Sequence, residues 1–220
     1  MFVTPAREKE PHAGSGAASG LSTLRSVQLN LQSRQLLDAA AQANGGDAAW
    51  RVRKLAEARA LLALAQIAPP GRLTVQMVDL REHVRVLLLM RVPVACHPDE
   101  NNVLRVAQHA LLGVVYPREA LHENLPGSRF VQILQPVAVW HANVVPGEQA
   151  LCLGITIPCN TPLREIVLMA YDALAMTTHQ VNEADEAGVF HVEAARWWAA
   201  NLDRLPLSKT PFLKSEDDAQ

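Results

Sequence analysis

Between Val84 and Val94 the chain is aliphatic at every position except Arg85, Arg91 and Pro93. So long an apolar run fits a central strand covered on both faces. Leu73, Val75 and Met77 alternate with polar neighbours just upstream, so residues 72–94 read as β-structure. A sheet of this kind needs a second layer to cover it, and the preceding segment offers one. Asp47 can accept from the free N–H groups that open a helix. Val52, Leu55, Ala58, Leu62 and Ala65 then follow at steps of three and four, the spacing of one buried helical face. The helix is expected over Ala48–Ile67, and Pro69-Pro70-Gly71 ends it.

Downstream the pattern changes several times. Residues 96–102 read as a polar loop. Residues 103–115 fit helix and strand equally. Tyr116-Pro117 closes them, since a residue before proline avoids the α region. Val131, Ile133, Val137 and Val139 alternate around Pro136, which predicts a strand from Phe130 to Trp140. Residues 141–161 are irregular. Thr161-Pro162 has the form of a helix start, an N-cap hydroxyl and then proline at the first helical position. Leu163, Ile166, Val167, Ala170 and Leu174 supply that helix's buried face. A polar link over 180–188 leads to a last helix over 189–205, with Val192, Ala195, Ala199 and Leu202 on one side. Strands flanked by helices in this order predict an α+β fold with an antiparallel meander.

The chain has 220 residues, a net charge of −2 and 49% hydrophobic residues. That is enough apolar material for one core and excludes disorder over most of the length. The charge balance is not that of a nucleic-acid binder. The longest aliphatic runs fall far short of a membrane span. Three cysteines, Cys96, Cys152 and Cys159, with no signal-like segment, predict free thiols in a reducing, cytoplasmic setting. Lysine occurs only at Lys9, Lys54, Lys209 and Lys214, and the arginine excess points to a GC-rich bacterial genome. Residues 1–20 read as a flexible arm, 21–46 as an extra N-terminal element, 47–205 as the main domain and 206–220 as a tail.

Two features can carry chemistry. Cys152 lies in the irregular segment ahead of a helix, where a thiol can reach a target; a free cysteine is also often an inert core residue. His141-Ala142-Asn143 ends the strand just upstream. Its asparagine amide can donate to a developing oxyanion or simply stabilise a turn. Its histidine can be a base, a metal ligand or a hydrogen-bonder. Cys96-His97 has no matching doublet at zinc spacing, so no metal or cofactor is expected. Trp140, Trp197 and Trp198 read as packing residues, and the adjacent Trp197 and Trp198 must point in different directions.

Taken together, His141-Ala142-Asn143, Leu151-Cys152-Leu153 and Thr161-Pro162-Leu163 resemble the ubiquitin-conjugating enzyme family. That family has a His-Pro-Asn tripeptide after its last meander strand and a cysteine about eight residues on. A proline ten residues beyond the cysteine leads into a helix, the same step as from Cys152 to Pro162. Tyr116-Pro117 is similar to the family's Tyr-Pro turn. Asn182, Glu193-Ala194-Ala195 and Trp197 are similar to its closing helix. Ala142 replaces the usual proline, the Asn143-to-Cys152 step is one residue longer, Asn160 stands where tryptophan is common, and the Tyr-x-Gly-Gly flap is absent. These departures resemble the conjugating proteins of bacterial ubiquitin-like operons, some of which act against phage.

The resemblance implies a fold of an N-terminal helix, an antiparallel meander, an irregular active-site loop and C-terminal helices. It implies that Cys152 accepts a ubiquitin-like protein from an activating enzyme as a thioester and passes it to an amine on a protein substrate. Asn143 would steady the oxyanion or order the loop, and His141 would hold the loop without acting as base. Arg51, Arg53, Lys54 and Arg59 would form a basic helix face for the activating enzyme; a solvated face is the plain alternative. His179, His191 and Asp185 lie where the family tunes the incoming amine. Two other readings stand beside this one: a cysteine hydrolase with His141 as base, and a non-catalytic relative that only binds a ubiquitin-like partner. Neither nucleic acid nor membrane is an expected partner.

Overall fold

The computed structural model describes residues 46–176 and 189–204 without a break, and also Arg34, 38–41, Ala43, Pro206, Ser208 and 210–213. The expected arm over 1–20, the link over 180–188 and the acidic tail at 216–218 lie outside the described residues. Helix α1 spans Ala48–Ile67, with the Asp47 carboxylate accepting the Trp50 N–H at 2.8 Å. Its buried face differs from the expected stripe. Val52 is 67% exposed, while Trp50, Lys54, Glu57, Ala58, Leu61, Leu62 and Leu64 face inward. The Trp50 indole sets this rotation, because it buries more apolar area than Val52 can. Its Nε1 also donates to the Glu82 carbonyl at 2.9 Å.

Five strands form one open antiparallel sheet in sequence order: β1 (Leu73–Asp79), β2 (Val84–Cys96), β3 (Arg105–Tyr116), β4 (Val131–Gln135) and β5 (Ala150–Leu151). The ambiguous stretch after residue 103 is therefore strand. A bulge between Val75 and Met77 reverses the alternation of β1, so Met77 faces outward. The aliphatic run of β2 is not covered equally on both faces. Val84, Val86, Leu88, Met90, Val92 and Val94 enter the core, while Leu87 and Leu89 on the other face are only half-buried. The strand expected from Phe130 to Trp140 stops at Gln135. Pro136 has no N–H for the ladder, and Val139 makes only an isolated bridge to Cys96.

Helix α2 spans Leu163–Leu174 and buries Leu163, Ile166, Val167, Ala170 and Leu174 as the sequence predicts. It packs on α1 and on β2. Thr161 is not its cap, because the Thr161 hydroxyl donates to Pro158 O instead. The first helical N–H, that of Leu163, donates at 2.8 Å to Oε2 of Glu57, which is buried on α1 and takes Arg53 Nε on its other oxygen at 2.6 Å. One carboxylate thus joins the two helices of the covering layer.

The last helix is shorter than expected. Helix α3 covers Val192–Ala200, and its inward residues are Ala194, Ala195 and Trp198 rather than Val192, Ala199 and Leu202. Trp198 is large enough to dictate which side turns in. These residues join Ala95, Trp140, Ala142, Met176 and Val189 in a second, smaller core. The chain after α3 returns to the main core, where Phe212 is buried and Thr210 O accepts from the Tyr171 hydroxyl at 2.6 Å. No helix among the described residues is long and apolar enough to cross a membrane.

Glu57→Ala should remove two charged hydrogen bonds and leave the Leu163 N–H unsatisfied. A loss of about 2–3 kcal/mol in urea unfolding is expected, and Glu57→Gln should retain about half of it.

Candidate active site

The irregular segment is organised by hydrogen bonds to three elements. Trp140 N–H donates to Ala95 O at 2.8 Å, which ties the segment to the end of β2. The His141 ring is buried, with Nε2 donating to Ala173 O at 2.9 Å and Nδ1 accepting the Asn143 N–H at 3.1 Å. These partners fix its tautomer. The ring also stands edge-on to Trp198. Ala142 O accepts two backbone N–H groups, from Phe190 and His191, at the start of α3. Asn143 O accepts the Cys152 N–H at 2.8 Å.

The chain then turns around Pro146-Gly147 and returns through β5. Val144 bridges Leu151, so Asn143 and Cys152 stand opposite each other at the next position of a short antiparallel ribbon. Asn143 and Cys152 line one cleft of about 300 Å³, together with Leu153, Gly154, Met169, Asp172 and Ala173. The Asn143 Oδ1 atom is buried without a hydrogen-bond partner.

Cys152 is only 2% exposed, and its thiol donates to Gly154 O at 3.2 Å. Burial pushes this thiol above the ordinary thiol range, and a backbone hydrogen bond with Gly154 offsets part of that shift. The loop after the cysteine is held from the side by the turn Gly127–Arg129. Gly127 N–H donates to Gly154 O at 3.2 Å, and a Cβ on Gly127 would lie 2.3 Å from that oxygen. Glycine is required at this contact for lack of space. Gly154 itself has φ +127°, a conformation open to glycine, and a Cβ there would meet nothing within 4 Å, so the backbone and not space requires glycine.

The expected basic face of α1 needs correction. Lys54 is fully buried, with Nζ donating to Leu80 O and Arg81 O; the carbonyls that close the β1–β2 turn hold it inside. Arg53 is committed to Glu57. Arg51 and Arg59 alone of the four are exposed. Cys96 is buried and Cys159 exposed, with the Cys159 N–H donated to Asn124 Oδ1. Trp197 is half-buried and bonded to Asn102, whereas Trp198 is fully buried. Asn182, His179 and Asp185 lie outside the described residues. Among the described residues no group of three His, Cys, Asp or Glu could hold a metal. Asp172 and Met169 were not singled out by the sequence. The one available signal was a carboxylate in the last turn of α2, where the helix dipole disfavours negative charge.

Comparison with protein-family models, curated proteins and solved structures gives no match for this chain.

Iodoacetamide at pH about 7 should label Cys159 roughly tenfold or more faster than Cys152, with Cys152 labelling still rising above pH about 9. Peptide mass spectrometry reads both rates, and equal rates would contradict the buried, neutral thiol. His191 gives a second test. It sits at the N-cap of α3 against the Trp140 ring, and burial lowers its pKa from 6.5, with His97 adding to the shift and Glu193 opposing it. The unfolded chain binds the proton more readily, so His191 contributes stability above pH 6.5 that is lost as pH falls through that value. Urea midpoints between about pH 5 and pH 7 should slope less in His191→Gln than in the wild type.

Proposed function

We propose that this protein is a ubiquitin-conjugating-like acyl carrier of the α+β type. In this reading Cys152 accepts the C-terminal acyl group of a ubiquitin-like protein from an activating enzyme and hands it to an amine on a protein substrate. The observation that carries the reading is the pairing of Cys152 and Asn143 across the Val144–Leu151 bridge, both on one cleft. A thioester is already activated, so its transfer needs a positioned nucleophile and one or two oxyanion donors rather than a strong base. Asn143 Nδ2 serves as such a donor when the acyl carbon becomes tetrahedral. His141 holds the loop. Both of its ring nitrogens are engaged, toward Ala173 and Asn143, which suits a support and not the base of a cysteine hydrolase. A bacterial conjugation pathway, including one directed against phage, is the setting this reading proposes.

A binding-only relative is the second reading, and the 2% exposure of Cys152 favours it. Incubation with the activating enzyme and ubiquitin-like protein of the same operon plus ATP separates the two. The carrier reading expects a dithiothreitol-sensitive adduct that Cys152→Ala abolishes. Asn143→Ala should still charge but discharge about 10²–10³-fold more slowly. No adduct, with the protein folded, leaves only the binding role.

A further inference from the structure

We propose that acid opens the Cys152 cleft, because protonation of His191 detaches the start of α3 from the His141–Asn143 loop. This concerns access to the thiol and stands apart from the carrier reading. Hydrogen bonds and a ring contact connect the two places. The Phe190 and His191 N–H groups both donate to Ala142 O, at 2.9 and 3.0 Å. Trp198 of α3 meets the His141 ring edge-on, with centroids 4.5 Å apart. Asn143 follows directly, and its carbonyl holds the Cys152 N–H. When α3 withdraws, the carbonyl of the fully buried Ala142 loses both donors and the imidazole loses its support. The loop then no longer fixes Asn143 against Cys152.

His191 is the group on which acid acts. Its ring stands edge-on to Trp140 at 4.6 Å, and His97, just past the end of β2, meets the same indole at 4.5 Å. Its Nδ1 atom is buried without a hydrogen-bond partner. A bare lone pair is tolerated there, whereas the N–H of an imidazolium has nothing to receive it. The helix begins at the next residue, so a cation also faces the positive pole of α3. Among the charged groups around the ring, Glu193 on its own helix favours the proton and His97 opposes it. His141, the imidazole of the loop, has both ring nitrogens engaged. Burial has the largest effect and holds the His191 pKa below its ordinary 6.5. A detached ring titrates near that ordinary value. The docked state is therefore favoured above pH 6.5 and loses ground as pH falls below it.

Cys152 is 2% exposed, so its modification reports opening. The test treats the full chain with dithiodipyridine between about pH 7 and pH 5, with glutathione in parallel, and reads each cysteine by peptide mass spectrometry. Below pH about 7 both thiols are almost wholly protonated, so a fixed degree of opening gives a constant ratio of rates. The Cys152 rate relative to glutathione should instead rise about threefold or more across this range, while the exposed Cys159 stays level. His191→Phe keeps a ring against Trp140 without a titrating nitrogen and should abolish the rise. His97→Gln should shrink it. Amide exchange, corrected for the chemical rate, should speed over residues 189–200 at the lower pH and not over α1.

A level Cys152 ratio in the wild type overturns the proposal, as does an equal rise in His191→Phe. Exchange that speeds equally in α1 also overturns it, since the chain is then unfolding as a whole. If His191→Phe does not fold, His97→Gln decides: an undiminished rise in that variant overturns the proposal.

Discussion

A buried stretch of irregular backbone persists only if its N–H and C=O groups find partners. In this protein that condition falls on His141, Ala142 and Asn143. Ala142 is fully buried, and its carbonyl is satisfied by two N–H groups that open α3. The Asn143 N–H goes to the imidazole and the Asn143 carbonyl to the Cys152 N–H. The imidazole closes the circuit on Ala173 O in the last turn of α2, a carbonyl that also accepts the Met176 N–H. A single side chain with one donor and one acceptor therefore couples α2, the tripeptide and the cysteine strand. The neighbouring elements, not a stiff residue, hold the loop at Ala142.

The same helix is anchored at its other end by the opposite type of group. Glu57 accepts the Leu163 N–H, a negative charge at a helix N-terminus, where the dipole favours it. The covering layer is thus held by α2 from end to end: Glu57 of α1 at the start, His141 at the finish. Between them the apolar face of α2 packs on the sheet. The cleft opens beside this helix's last turn, which explains why Met169, Asp172 and Ala173 line it while the mid-helix residues Ile166, Val167 and Ala170 are core.

How legible this was depends on whether a residue's partner is near in sequence. The bounds of α1 and the buried face of α2 follow from local spacing and local caps, and both were readable. The orientation of α1 was not. Lys54 and Glu57 look like surface residues until Leu80, Arg81 and Leu163 supply their partners from 26, 27 and 106 positions away. The bulge at Gln76 was missed for a related reason, because it is set by pairing across strands, whereas the early end of β4 follows from Pro136, whose missing N–H the alternation on either side concealed. At the site, motif spacing singled out Cys152 and Asn143, and the ribbon closed by Val144 and Leu151 sets the two opposite each other. That Asp172 lines the same cleft was not readable, since only the fold brings the end of α2 beside Cys152.

On the carrier reading, the burial of Cys152 bears on what kind of thioester the site would keep. A thiol pushed above the ordinary range is a poor nucleophile when free, because little thiolate is present at neutral pH. It is also a poor leaving group, and exchange slows as the leaving thiol's pKa rises. The two effects act on opposite steps. Loading becomes dependent on a partner that lines up the incoming acyl group. Spontaneous loss of that acyl group to water or stray thiols becomes slow. The described part of the chain also offers no lysine that could take the acyl group in place of the substrate, since Lys54 is fully buried among turn carbonyls. On the carrier reading, a sulfur kept neutral and nearly closed off is what a transfer intermediate needs to outlast its encounter with the donor and meet the acceptor.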